Sequence, residues 1–155
     1  MSNKVQNSKF KIIIASDHAG FELKSVLKNY LNQKYEIKDF GTFSEESVDY
    51  PDFGFAVAEK VMNKEFDFGI LICGSGIGMS IVANKVKGVR AALCTSIEIA
   101  KLSRQHNNAN ILVLPGKFMT KNSAKNIVDI WLSADFDGGR HKRRLDKISK
   151  YEEGE

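Results

Sequence analysis

Short apolar runs alternate with stretches of helical spacing about five times along this chain. Residues 10–15 are rich in β-branched side chains, and Ser16-Asp17-His18-Ala19-Gly20 breaks the run. Leu23, Val26, Leu27, Tyr30 and Leu31 then recur at helical spacing. Residues 35–40 read as a second strand, residues 41–50 as a polar loop, and Pro51 suits the first turn of a helix. Residues 66–73 are almost continuously apolar, as a strand covered on both faces has to be. That run ends in Gly74-Ser75-Gly76-Ile77-Gly78, with a helix expected over residues 79–86. Residues 89–94 and 110–114 complete the strands, with a helix over 97–104 between them. Ala124, Ile127, Val128, Trp131 and Leu132 share one face of a helix expected over 120–134, and a last helix is expected over 140–151, after Gly138-Gly139.

Strands and helices that alternate through short connections produce a parallel sheet with helices on both faces, wound right-handed. The expectation is an α/β fold: one three-layer α/β/α domain, Rossmann-like, with a five-stranded parallel sheet. It would occupy residues 10–151, between a flexible N-terminal tail at 1–9 and a C-terminal tail at 152–155. No internal repeat or low-complexity linker suggests a second domain.

Composition narrows the setting. The 155 residues are 43% hydrophobic and 27% charged, which is the balance of an ordinary globular domain. No apolar run approaches the roughly 20 residues of a membrane span, and the polar residues 1–9 do not read as a secretory leader. Two cysteines without a framework spacing suit a reducing compartment, so a cytoplasmic protein is expected. The net charge of +4 is modest and much of it sits in Arg140-His141-Lys142-Arg143-Arg144. No aromatics interleave with those charges, which argues against nucleic acid as a partner.

The chemistry-bearing residues fall at strand ends. In open α/β sheets ligands bind beyond the carboxyl ends of the strands, where the strand order reverses. If the first and third strands are neighbours, Asp17-His18-Ala19-Gly20 and the glycine loop meet there. Glycines at 74, 76 and 78 let backbone N–H groups converge, and the following helix adds its positive end, making an anion site. The competing view is a tight strand-to-helix turn. The loop lacks the Gly-Lys-Ser/Thr of a P-loop and the acidic partner of a dinucleotide site. Cys73 faces that helix start, where a thiolate is favoured; it reads equally as a small buried hydrophobe. Cys94 has no glycine loop behind it and reads as packing. A second imidazole lies in Ser103-Arg104-Gln105-His106-Asn107-Asn108. Arg140, Arg144 and Lys147 share a helical face opposite Leu145, Ile148 and Tyr151, expected to dock. The basic face is either solvated or, since two fixed arginines suit a dianion, a phosphate site.

Six blocks in order carry a resemblance: Asp17-His18-Ala19-Gly20, Asp49-Tyr50-Pro51, Gly69 through Gly78, Asn84-Lys85, Ser103 through Asn107, and Gly138-Gly139-Arg140-His141. Together they resemble the ribose-5-phosphate isomerase B family, which also includes the galactose-6-phosphate isomerase subunits. The resemblance implies isomerisation of ribose 5-phosphate and ribulose 5-phosphate through an enediolate. It makes Cys73 the base, gives Ser75 a proton shuttle between the two oxygens, and has His106 open the sugar ring. Backbone N–H groups of Gly74, Ser75, Gly76, Ile77 and Gly78 would hold the anion. Asp17, Tyr50 and Asn107 would bind sugar hydroxyls, and His18, Arg140 and Arg144 the phosphate, with His141 beside them. It implies a sugar phosphate as ligand, no metal and no cofactor, and a homodimer whose active sites are shared between subunits, with further pairing of dimers left open.

Two positions depart from the family pattern. Where some relatives carry a glutamate base this chain has Met79, and Lys117, after the unusual Pro115, stands where an arginine often binds phosphate. Lysine keeps the charge but loses the bidentate fork. Two alternatives are open to such a sequence: a six-carbon sugar phosphate as substrate, or a binding module without catalysis.

Overall fold

The computed structural model describes residues 10–154. The tail expected at residues 1–9 therefore lies outside the described residues. Five parallel strands are β1 (Lys11–Ser16), β2 (Glu36–Asp39), β3 (Phe68–Cys73), β4 (Ala91–Leu93) and β5 (Ile111–Pro115), in the sheet order β2-β1-β3-β5-β4. The helices are α1 (Phe21–Leu31), α2 (Tyr50–Met62), α3 (Ile77–Asn84), α4 (Ile97–Gln105), α5 (Lys121–Ser133) and α6 (Arg140–Glu152), with a short 3-10 turn at His18–Gly20. This is the α/β, Rossmann-like architecture that the alternating pattern implies.

Alternate strand residues supply two cores, one on each face of the sheet. Ile12, Ile14, Ile70, Ile72, Leu112 and Leu114 point to one side, against Leu23, Leu27 and Leu31 of α1 and Ala124, Ile127, Val128 and Trp131 of α5. Ile13, Ala15, Leu71, Cys73, Ile111 and Val113 point to the other, against Val57, Ala58 and Val61 of α2 and Met79 and Ala83 of α3. Strands β1, β3 and β5 are buried from both sides, which is why they read as apolar runs rather than as alternating ones. Met79 is a fully buried core side chain.

The helix boundaries follow from local chemistry. Thr120 Oγ1 accepts from Ser123 N at 3.1 Å and starts α5; Ser96 Oγ does the same for α4 from Ile99 N at 3.2 Å. Helix α3 begins two residues before the apolar spacing suggests. Gly76, at φ +79°, turns the chain into it, and a side chain there would meet Leu93 Cδ1 at 2.5 Å. Strand β4 keeps only three of the six residues expected, since it is an edge strand paired with β5 alone. Helix α6 runs to Glu152, whose Oε2 accepts from Gly88 N at 3.1 Å, so the expected tail at 152–155 is helical at its start.

A further correction concerns the face of α6. Leu145 is half-buried, but Ile148 is 51% and Tyr151 83% exposed, so only the first part of that apolar face docks on this chain. Lys24 is a core residue that no apolar period marks. It lies buried on α1 with its Nζ 2.7 Å from Asp39 Oδ1, and Asp39 also accepts from Gly41 N at 2.9 Å. Gly41 O and Thr42 N in turn bond Ser16 N and O at 2.8 and 2.9 Å. The loop after β2 is thereby fastened to the end of β1.

Candidate active site

The strand order reverses at β1 and β3, which are neighbours in register from Ile12 opposite Phe68 to Ser16 opposite Ile72. Their carboxyl ends are bonded to each other and to the end of β5. Asp17 N donates to Ile72 O at 3.2 Å, Gly116 N to Cys73 O at 2.8 Å and Lys117 N to Gly74 O at 3.0 Å. A cleft of about 500 Å³ opens at this junction, where topology leads one to look for a ligand.

Eight of the residues singled out from the sequence line the cleft: Asp17, Tyr50, Cys73, Gly74, Ser75, Ile77, Gly78 and Lys117. Each has a local reason for being there. Cys73 is the last residue of β3 and 5% exposed. Asp17 is held by capping the 3-10 turn, its Oδ1 accepting from Gly20 N at 3.1 Å. Tyr50 starts α2, and its ring lies so close to Gly78 that a side chain there would meet Cε1 at 2.6 Å. The aliphatic stem of Lys117 lies beside Gly74, its Cδ 3.7 Å from where a side chain would start. Gly76 does not line the cleft; its part is the turn itself.

At the start of α3, Ser75 Oγ accepts from Ile77 N at 3.2 Å. The N–H groups of Gly74, Ser75, Gly76 and Gly78 take no partner among the described residues. Unpaired donors at a helix N-terminus are suited to an anion. Ile77 N–H, counted with them from the sequence, is already engaged by the serine.

His18 stands beside the cleft, on the 3-10 turn. Its Nδ1 accepts from Val48 N at 3.2 Å, which pins the loop before Tyr50 and assigns the ring proton of the neutral form to Nε2, free to donate. Ile81 also lines the cleft, and sequence reasoning passed over it. The available signal was its spacing of four from Ile77 on a helix face, where both are 56% exposed.

The remaining candidates lie elsewhere on this chain. His106 follows α4, and its ring stacks on His141 of α6 with centroids 4.1 Å apart and planes 11° from parallel. His141 is 9% exposed. Burial pushes its pKa down, and His106, Arg140 and Arg144 push in the same direction against Asp137. Asn107 borders a separate groove of about 390 Å³, with Asn84, Arg90, Leu145 and Ile148. Arg140 and Arg144 are exposed on α6. Within one chain, the structure thus brings together the thiol, the serine, the acid and the anion site, and keeps the second imidazole group apart from them.

Cys94 faces the opposite core. Its single S–H has Ala92 O at 3.6 Å and Ser103 Oγ at 3.8 Å as acceptors in reach, and burial raises its pKa. A thiol held protonated in an apolar core is a packing group.

Comparison with known proteins places these observations. Residues 12–148 match the model of the ribose/galactose isomerase family. A solved ribose 5-phosphate isomerase from Thermotoga maritima is 57% identical, with a TM-score of 0.90, covering 92% of this chain and 99% of that one. A ribose-5-phosphate isomerase B from Mycoplasma genitalium, solved with bound ribulose-5-phosphate, is 50% identical with a TM-score of 0.89, covering 94% of this chain and 98% of that one. The ribose-5-phosphate isomerase B of Escherichia coli is 44% identical, covering 92% of this chain and 97% of its own.

Proposed function

From a chain that belongs to the ribose/galactose isomerase family and is an aldose–ketose isomerase, we infer one substrate pair, D-ribose 5-phosphate and D-ribulose 5-phosphate. The observation that carries this inference is Cys73, lining a cleft beside the unpaired N–H groups at the start of α3. The relative that binds ribulose-5-phosphate supports the choice of a five-carbon ligand.

The chemistry proceeds from an open-chain aldose. The Cys73 thiolate takes the proton from C2, the C–H electrons form the C1–C2 double bond, and the carbonyl oxygen becomes the enediolate oxyanion. N–H groups of the glycine loop meet that charge where it develops, an electrostatic contribution that is commonly the largest in such reactions. Ser75 relays a proton between O1 and O2, and Cys73 returns its proton to C1 to leave the ketose. Asp17 and Tyr50 hold hydroxyls. Lys117 and His18, with Arg140 and Arg144, supply positive charge and donors for the phosphate.

Ring opening requires an acid for the ring oxygen and a base for the anomeric hydroxyl. His106 suits this role, and it does not line the Cys73 cleft of its own chain. That separation supports a homodimer in which each cleft is completed by His106, Asn107 and the α6 arginines of the other subunit. The exposed Ile77, Ile81, Ile148 and Tyr151 are apolar surface for such a contact. No described helix is long and apolar enough to cross a membrane, and two free thiols suit a reducing cytoplasm.

The deciding experiment is an assay of the purified full chain, without added metal, on ribose 5-phosphate, galactose 6-phosphate and allose 6-phosphate. The pentose phosphate should give the highest kcat/KM. A hexose phosphate turned over faster would overturn the substrate assignment while leaving the isomerase class intact.

A further inference from the structure

His106, Asp137 and His141 converge although the first and last lie 35 positions apart in sequence, and their ligand atoms lie within 4.8 Å of one another. The backbone brings this about. His106 caps the C-terminus of α4, and Asp137 N donates to Gln105 O at 2.9 Å, bringing the chain back over that helix end. Gly138 and Gly139, at φ +72° and +58°, then reverse it, and His141 N bonds Gly138 O at 3.1 Å at the start of α6. The turn lays the second imidazole on the first. The end of α4 is also the negative pole of that helix, which favours a cation.

We propose that His106, Asp137 and His141 form a binding site for one divalent ion of zinc type, and that the ion inhibits the enzyme by occupying the ring-opening imidazole. Two imidazole nitrogens and one carboxylate oxygen suit Zn²⁺, Ni²⁺ or Co²⁺, whereas Mg²⁺ and Ca²⁺ prefer oxygen alone. At a metal–nitrogen distance of about 2.0–2.1 Å, tetrahedral ligand atoms stand roughly 3.3 Å apart. The cluster closes to that spacing by side-chain rotation: the stacked rings splay, and the exposed Asp137 carboxylate swings over them. The fourth position is left to water. Arg140 and Arg144 oppose the ion electrostatically, and Asp137 is the local charge that offsets them.

The binding site stands on geometry alone, while the inhibition rests on the role proposed above for His106. The competing zinc ligand in this protein is the Cys73 thiol. Titration calorimetry of the full chain with zinc chloride separates the two. Wild type should bind one zinc per chain. Cys73→Ser should retain that binding, and Asp137→Asn should weaken it by at least about tenfold. The Asp137 side chain makes no hydrogen bond among the described residues, so Asp137→Asn should fold and keep its activity without metal. Zinc should inhibit wild type, EDTA should reverse the effect, and Asp137→Asn should be resistant. Binding that survives in Asp137→Asn but vanishes in Cys73→Ser would overturn the site, as would no binding to wild type. Zinc held through Asp137 without inhibition would leave the site standing and overturn the role of His106.

Discussion

At the scale of single residues, two buried cysteines in one small domain differ in what surrounds them. Cys73 closes a strand at the mouth of a cleft, beside unpaired N–H donors, whereas Cys94 is enclosed by apolar side chains and a serine hydroxyl. Cys73→Ser should therefore fold normally and lose proton transfer, because a serine hydroxyl is far too weak a base near neutral pH. Cys94→Ser should stay within a few-fold of wild type. Initial rates and a thermal melt on both variants decide the matter; a dead Cys94→Ser with an active Cys73→Ser would reverse the assignment. His106 is tested by direction. Ribose 5-phosphate is cyclic, while ribulose 5-phosphate cannot close a furanose through its phosphorylated oxygen and is already open. His106→Asn should thus lose on the order of 10²- to 10⁴-fold on the aldose and much less on the ketose. An equal loss in both directions would make His106 a group that positions the enediolate.

At the scale of elements, the site depends on how α1 holds the loop that leads into α2. Lys24 is 1% exposed and Asp39 10%, with Lys28 Nζ a further 3.6 Å from Asp39 Oδ2. Asp39 in turn fixes Gly41, which is bonded to Ser16, next to Asp17. Removing one partner of a buried pair leaves the other charge uncompensated, at a cost of roughly 3–5 kcal/mol. Lys28 can shift toward the orphaned carboxylate, so Lys24→Met should fall near the lower end, lowering Tm by about 6–12 °C for a chain of this size. Lys28→Met, at a position 42% exposed, should cost about 1 kcal/mol of stability or less. Paired melting curves check both, and equal Tm shifts would mean that the buried ammonium contributes nothing special.

At the scale of the whole molecule, His106 and the arginines of α6 do not line the Cys73 cleft of their own chain. If His106 serves the other subunit's Cys73, an inactive Cys73→Ser chain and an inactive His106→Asn chain can rescue one another. In the mixed dimer one site carries both defects and the other carries neither. Random reassociation of an equal mixture gives half mixed dimers, and so about a quarter of the wild-type activity. Refolding the two variants together and assaying ribose 5-phosphate measures this directly. Activity no greater than that of the separate variants would place both groups in one subunit's site or require another ring opener.

Much of this molecule is written in local pattern. The apolar runs at β1 and β5, the helical face of Ala124, Ile127, Val128, Trp131 and Leu132, and the glycines after Cys73 each state a period or a turn that short stretches of chain determine for themselves. The adjacency of β1 and β3 follows from the fold class, and the cleft residues beside it could be named from their place after those strands. Other features arise only when distant segments pack. The insertion of β5 between β3 and β4 is a matter of crossover geometry. Lys24 looks like a surface lysine until Asp39, 15 positions on, compensates its charge. Tyr151 reads as a docking residue by spacing, yet within this chain it is exposed. The stacking of His106 on His141, and their distance from the thiol cleft, depends on a glycine turn folding α6 back over the end of α4. Periodicity reports which face of an element is apolar; it holds no information about which other element, or which other subunit, will cover that face.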